Sequence, residues 1–233
     1  MSMIIDNIDF QNLPAERYWQ WPSGYKKNKQ DEIYAMIMSN AYIGSRKMDG
    51  AYYRFIKDMD GNMVLQGRSE SVNGGFLDKI DWVPHLHSFF DALPRGTCLL
   101  GEIYFPNNEG SRHVTTIMGC LPEKARERQE KGEKLHYYIF DVWAWAGTSL
   151  LSVTAETRFS QLGYVSECMA RADNKFIEIA KYYYGQALWD ELMRVRMLEG
   201  EGIVITKSNS HAEPGKRTAR KTLKIKKELD NPI

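Results

Sequence analysis

Two runs of aromatic and branched residues, Ala51 to Ile56 and Asn62 to Arg68, are separated only by Lys57 to Gly61, where Asp60-Gly61 is a strong turn signal. A β-hairpin is therefore expected directly after Lys47-Met48-Asp49-Gly50. Further strands are expected at Thr97 to Phe105, His136 to Trp143, Gly202 to Thr206 and Thr222 to Ile225, each bounded by Gly, Pro or charged turns. Helical patterns fall between them: Gln30 to Ser39, the highly charged Glu123 to Lys134, the series Phe159, Leu162, Val165 and Met169, and the series Leu188, Leu192, Val195 and Leu198. Strands and helices interleave without a βαβ rhythm and without a Gly-rich loop after the first strand. That argues against a doubly wound nucleotide domain and for an α+β fold with antiparallel sheets.

A chain of 233 residues with 43% apolar residues is long enough for one substantial core or two modest subdomains. It has no apolar run of about 18 residues, and its start, MSMIIDNIDF, has neither a basic region nor a long apolar one. The expectation is a soluble, cytoplasmic protein with no membrane partner. Cys98, Cys120 and Cys168 are odd in number and far apart, so they read as core thiols. His85 and His87 form the one close histidine pair and lack further ligands nearby, so zinc is not expected.

The net charge of +1 hides an asymmetry. From Lys207 to Lys227 there are eight cations, Lys207, Lys216, Arg217, Arg220, Lys221, Lys224, Lys226 and Lys227, against Glu213 alone. Such a block attracts polyanions, unless it is merely a solvated surface. Leu223-Lys224-Ile225-Lys226 alternates, so a strand there buries Leu223 and Ile225 and sends both lysines to one side. Two ammonium groups on one strand face repel each other unless an anion sits between them.

Other candidates each carry two readings. Lys47-Met48-Asp49-Gly50 is either a reactive lysine or an ordinary turn. Glu102 shares a strand face with Cys98, Leu100 and Tyr104, so it is either a carboxylate kept for a ligand or an edge residue in solvent. Phe140 either stacks on a purine or fills the core. Glu201 precedes the apolar run Gly202-Ile203-Val204-Ile205 and is either functional or the exposed end of a helix.

In order, Lys-x-Asp-Gly, a strand carrying Gly101-Glu102, Phe140-Asp141, Glu201-Gly202-Ile203-Val204-Ile205 and Lys224-x-Lys226 resemble the motif series of covalent nucleotidyltransferases: ATP-dependent DNA ligases, RNA ligases and mRNA capping enzymes. The resemblance spans about Ser45 to Lys226. The Glu-Gly form of the fourth motif, Pro214-Gly215-Lys216-Arg217-Thr218 before the fifth, and Phe140-Asp141 through Gly147, Leu150, Arg158 and Leu162 look most like an ATP-dependent DNA ligase, with RNA ligase the nearest competitor. The implied fold is a single α+β domain of two antiparallel β-sheets flanked by helices around a nucleotide pocket, the ATP-grasp-like nucleotidyltransferase fold of ligase adenylation domains. The chain ends seven residues after Lys226, so no OB-fold domain is expected in it. The expectation is an adenylation domain, monomeric, that self-adenylates but seals nicks poorly.

The resemblance also implies roles. Lys47 attacks the α-phosphorus of ATP to give lysyl-AMP, the adenylyl group passes to the 5′-phosphate of a nick in duplex DNA, and the 3′-hydroxyl then displaces AMP. Making a lysine with the reference pKa neutral at pH 7 costs about 4 to 5 kcal/mol, and Arg46, Mg²⁺ and the fifth-motif lysines are candidate helpers. Glu102 and Glu201 would serve Mg²⁺ (or Mn²⁺) and the ribose, Phe140 the adenine, and Lys224 and Lys226 the α-phosphate. Ser45, Arg46 and Arg68 are expected beside the nucleotide. Arg68, Lys216 and Arg217 are expected at the nucleic acid. The family usually has arginine where this chain has Tyr52, and Arg54, on the same strand face, is the candidate substitute.

Overall fold

The structure, a computed structural model, describes residues 3–21, 29–71, 74–106, 110–132, 134–217 and 221–226. In chain order the strands are β1 (Ile4–Ile5), β2 (Ile8–Asp9), β3 (Trp19–Gln20), β4 (Tyr42–Arg46), β5 (Gly50–Lys57), β6 (Met63–Glu70), β7 (Phe76–Asp78), β8 (Thr97–Tyr104), β9 (His136–Trp145), β10 (Thr148–Ser149), β11 (Ile177–Ile179), β12 (Gly202–Lys207) and β13 (Thr222–Lys226). The helices are α1 (Lys29–Met38), α2 (His87–Ala92), α3 (Gly110–Met118), α4 (Pro122–Glu130), α5 (Ala155–Ser160), α6 (Leu162–Ala172) and α7 (Gly185–Met197). Among the described residues no helix is long and apolar enough to cross a membrane.

The chain divides into two compact units: Met1–Pro14, Asp49–Ser152 and Arg158–Ile179 form the first, and Ala15–Met48, Val153–Thr157 and Ala180–Ile233 the second. The first is built on a sheet of order β10-β9-β8-β5-β6-β7, with β11 also on β9. Its β5–β6 pair is the expected hairpin, with Tyr53 opposite Gly67 and Lys57 opposite Met63. Its turn is organised by Asp58, whose Oδ1 accepts from the Asp60 and Asn62 amides at 3.0 and 2.8 Å. One sheet face buries Phe55, Phe89, Phe90 and Tyr137, and the Phe55 and Phe90 rings stack with centroids 4.2 Å apart. The expected single helix through Phe159 and Met169 is instead two, α5 and α6. At Gln161 the amide donates to the Arg158 carbonyl three residues back, tightening the ladder and breaking the helix there.

The second unit has a sheet of order β3-β13-β12-β4. Alternation along each strand decides its faces: Ile203, Ile205, Leu223 and Ile225 pack with Ile33 and Ile37 of α1 and with Leu188, Leu192 and Val195 of α7. In both helices the buried residues recur at three- and four-residue spacing, which is the amphipathic stripe. Leu198, expected on that stripe, is 56% exposed because α7 ends at Met197 and Leu198 is its C-cap. The two larger sheets are mainly antiparallel as expected, and each adds a short parallel strand, β11 on β9 and β3 on β13. Cys98 and Cys168 are buried and Cys120 half-buried, all as free thiols.

Candidate active site

Lys47 follows β4 in the second unit, and its amide continues the ladder by donating to the Gly202 carbonyl at 2.9 Å. The register sets Ser45 opposite Val204 and Arg46 opposite Ile203. Side chains alternate, so Arg46 shares the face of Ile203, toward α7, and its guanidinium lies near Gly200. Lys47 emerges on the other face. Arg46 and Lys47 thus leave the strand on opposite faces. Ser45, on the Lys47 face, is 3% exposed.

On that same face β13 presents Lys224 opposite Val204 and Lys226 opposite Gly202. Glu201 supplies the anion that the two-lysine strand calls for. Its Oε2 accepts from Lys47 Nζ at 2.5 Å, its Oε1 lies 3.4 Å from Lys226 Nζ, and the Lys47 ammonium also donates to the Met48 carbonyl at 3.1 Å. With side-chain exposures of 10% for Lys47 and 20% for Glu201, the pair is shielded enough for its charges to matter. Glycine at 202 is required: its φ is +135°, and a β-carbon would collide with the Ile225 carbonyl oxygen. That close approach of β12 to β13 brings Glu201 to the lysines.

The remainder of the Lys-x-Asp-Gly motif belongs to the first unit. Asp49 Oδ1 accepts from the Ser111 amide at 3.2 Å in the first turn of α3, a favourable place for a carboxylate. Gly50 lets β5 lie against β8, since a β-carbon there would strike the Ile103 carbonyl.

Also in the first unit, Glu102 lies opposite Tyr52 on one side and Tyr138 on the other. Arg68 sits over the Tyr52 ring, 5.1 Å from guanidinium carbon to centroid, and Phe140 lies 6.5 Å from the same ring. Both Glu102 and Phe140 are half-buried, so neither expected role, ligand contact or core, is denied by burial. Asp141, beside Phe140, accepts a bifurcated hydrogen bond from Arg158 Nε, at 3.0 Å to Oδ1 and 3.3 Å to Oδ2. Burial pushes the Asp141 carboxyl above its ordinary range, and the Arg158 guanidinium opposes that shift.

Arg54 is placed unlike the other expected residues. It is 1% exposed, and its Nη2 donates to the carbonyls of Gln11 and Leu13 at 3.2 and 2.7 Å. Gln66, opposite it, donates to the Gln11 carbonyl at 2.8 Å. The alternation that puts Arg54 on the Tyr52 side of β5 does not reveal that the amino-terminal segment covers it. Lys216 and Arg217 are exposed in the second unit, and Arg217 stacks on Trp19 at 4.1 Å. Thr218, Arg220 and Lys227 lie outside the described residues. Sequence reasoning missed β4, the strand that delivers Lys47; its only signal was the Tyr42-Ile43 pair.

Among the described residues no three His, Cys, Asp or Glu side chains gather into a ligand cage. Mg²⁺ is commonly held by one or two carboxylates with substrate phosphates, and within the second unit Glu201 is a donor of that kind. Both Glu201 oxygens face ammonium groups, so the carboxylate is a shared counter-ion before it is a ligand.

A lysine paired with a glutamate beside a two-lysine strand, in an α+β chain of this topology, is the arrangement expected from the resemblance to covalent nucleotidyltransferases. The family model described as ATP dependent DNA ligase domain matches residues 26–226, and the chain belongs to that family. No curated protein sequence matches it. Among solved structures it is similar to a Lig E DNA ligase (17% identity, TM-score 0.60, covering 91% of this chain and 68% of that one). It is also similar to the ligase domain of M. tuberculosis LigD (16%, TM-score 0.66, 94% and 62%) and to a Chlorella virus DNA ligase-adenylate (16%, TM-score 0.60, 92% and 67%). The chain thus spans about two-thirds of the length of these ligases.

Proposed function

We propose that this chain is the adenylate-accepting part of a ligase acting on nicked duplex DNA, with Lys47 as the nucleophile. The observation that carries the reading is the Lys47–Glu201–Lys226 arrangement: one lysine held at a carboxylate, with a second lysine across it. When ATP binds, its phosphates compete with Glu201 for the ammonium groups. Lys226 and Lys224, on one strand face, then meet the α-phosphate, and Lys47 Nζ, once it loses its extra proton, forms the P–N bond while the bond to the β-phosphate breaks and pyrophosphate leaves. Mg²⁺ or Mn²⁺, with Glu102 and Glu201 as carboxylate donors, would supply charge neutralisation for the phosphates. Phe140 is assigned to the adenine, Ser45 to the nucleotide, Arg68 to the nick phosphate or ribose, and Lys216 and Arg217 to the DNA backbone. Arg54 is left out because it is 1% exposed beneath the amino-terminal segment, with its Nη2 donating to the Gln11 and Leu13 carbonyls.

The test is incubation with α-labelled ATP and Mg²⁺ followed by denaturing electrophoresis. A covalent label is expected in the wild type and none in Lys47→Ala; a labelled Lys47→Ala overturns the assignment. GTP run in parallel separates a capping activity, and a nicked DNA duplex against a broken RNA strand separates an RNA ligase. No label with any nucleotide leaves a binding module without turnover.

A further inference from the structure

In the second unit, residues 16–21 lie ahead of the stretch on which the family assignment rests, and they are bonded along the segment that carries the fifth-motif lysines. The Glu16 carboxylate, 8% exposed, accepts from the Glu213 amide, and the Arg17 amide donates to the Lys216 carbonyl at 3.1 Å. Further on, β3 runs parallel to β13 with Trp19 opposite Leu223 and Gln20 opposite Lys224. The Trp21 amide then donates to the Lys224 carbonyl at 3.0 Å.

These bonds act on the backbone from which Lys224 projects. On one side β13 is held by β12, with Val204 opposite Lys224; without β3 its other side would be an open edge. A two-residue strand is too short to hold itself. It stays because the Trp19 and Trp21 rings pack against the core of this unit, while Gln20, between them, takes the face of Lys224. An ammonium on a flexible four-carbon stem is aimed chiefly by where its α-carbon stands.

We propose that Trp21 is a positioning residue whose main-chain amide, anchored by its ring, sets Lys224 for the α-phosphate of the nucleotide. The inference deepens the ligase reading and rests on it. It is tested with the full chain by isothermal titration calorimetry at one fixed salt concentration, using AMP and adenosine, which differ only in that phosphate. The readout is the ratio of the two dissociation constants.

The wild type is expected to prefer AMP. Trp21→Ala and Trp21→Pro lose the same ring, and only the proline also loses the amide donor. Trp21→Pro should therefore show a preference about two- to ten-fold smaller than Trp21→Ala, the effect of one backbone hydrogen bond. With Lys224→Ala in place the two should show the same preference. A purely structural role for the tryptophan would not produce that coupling, since a loosened fold weakens AMP and adenosine alike. Glu16→Ala and Glu16→Gln repeat the test from the other end of the segment without touching the apolar core, and they change the charge equally. Glutamine keeps an acceptor for the Glu213 amide and should retain more of the preference than alanine. Equal binding of AMP and adenosine by the wild type, equal ratios in Trp21→Pro and Trp21→Ala, or a difference that survives Lys224→Ala overturns the proposal; if both Trp21 variants unfold, equal ratios in the two Glu16 variants overturn it. Lysyl-AMP formation is measured on the same wild-type preparation. A chain that labels without preferring AMP loses this inference and keeps the ligase reading, whereas one that prefers AMP through Lys224 but never labels loses the ligase reading and keeps the positioning.

Discussion

Acid should loosen the first unit through one imidazole. His85 Nε2 donates to the Leu135 carbonyl at 2.8 Å, its ring lies edge-on to Phe176 at 5.0 Å, and its Nδ1 is buried with no partner. A proton on Nδ1 would be a buried, unpaired donor. Burial accordingly pushes the pKa from 6.5 down to about 4; the Leu135 hydrogen bond raises it, and Lys134, His136 and His87 lower it. Because the folded pKa is depressed, the unfolded chain binds the proton first as pH falls below 6.5. Stability is then fully present above about pH 6.5 and is lost on descending to about pH 4. A shift from 6.5 to about 4 corresponds to about 3 kcal/mol at pH 4. The ring is only partly buried, so solvent reduces this to about 2 kcal/mol, a fall of roughly 4 to 8 °C in Tm for a chain of this size. Thermal unfolding of the wild type and of His85→Gln, at pH 7 and pH 4, isolates the effect, since glutamine can still donate to Leu135 but does not titrate. The wild type should lose more between the two pH values than the variant. Equal losses would refute the reasoning.

Two further perturbations test how the site is supported. Arg158→Leu strands the Asp141 carboxylate, 2% exposed, and should cost about 3 to 5 kcal/mol at pH 7 in urea unfolding. The cost should shrink as pH falls and the carboxylate is protonated, and a pH-independent loss would count against it. Gly202→Ala meets both the φ of +135° and the Ile225 carbonyl, so it should cost at least about 2 kcal/mol and abolish the Lys47 label by displacing Glu201. A stable variant that labels fully would show that Glu201 is not needed where it stands.

Much of the architecture was legible because strand and helix periods are local. The Asp60-Gly61 hairpin and the Ile33–Ile37 and Leu188–Leu192–Val195 stripes depend on spacing within one segment, and each appears where expected. The break at Gln161 did not show, since the apolar spacing continues across it from Phe159 to Leu162 and Val165. The site was legible as types of residue in order, but not as directions. Arg46 and Lys47 are neighbours that part to opposite faces, and Arg54 looks as available as Tyr52 until the amino-terminal carbonyls are seen to cover it.

The amino-acid sequence by itself determined that Lys224 and Lys226 share a strand face while Leu223 and Ile225 point into a core, because a period of two follows from the pleat alone. It also raised the expectation that an anion would meet those lysines, beside the alternative of a solvated surface. Which anion was decided only by tertiary structure: Glu201 reaches Lys47 across 154 positions of chain, through a contact set by the β4–β12–β13 register and by a glycine that lets two backbones close. Register between distant strands is a cooperative property of the packed sheet, and no local pattern encodes it.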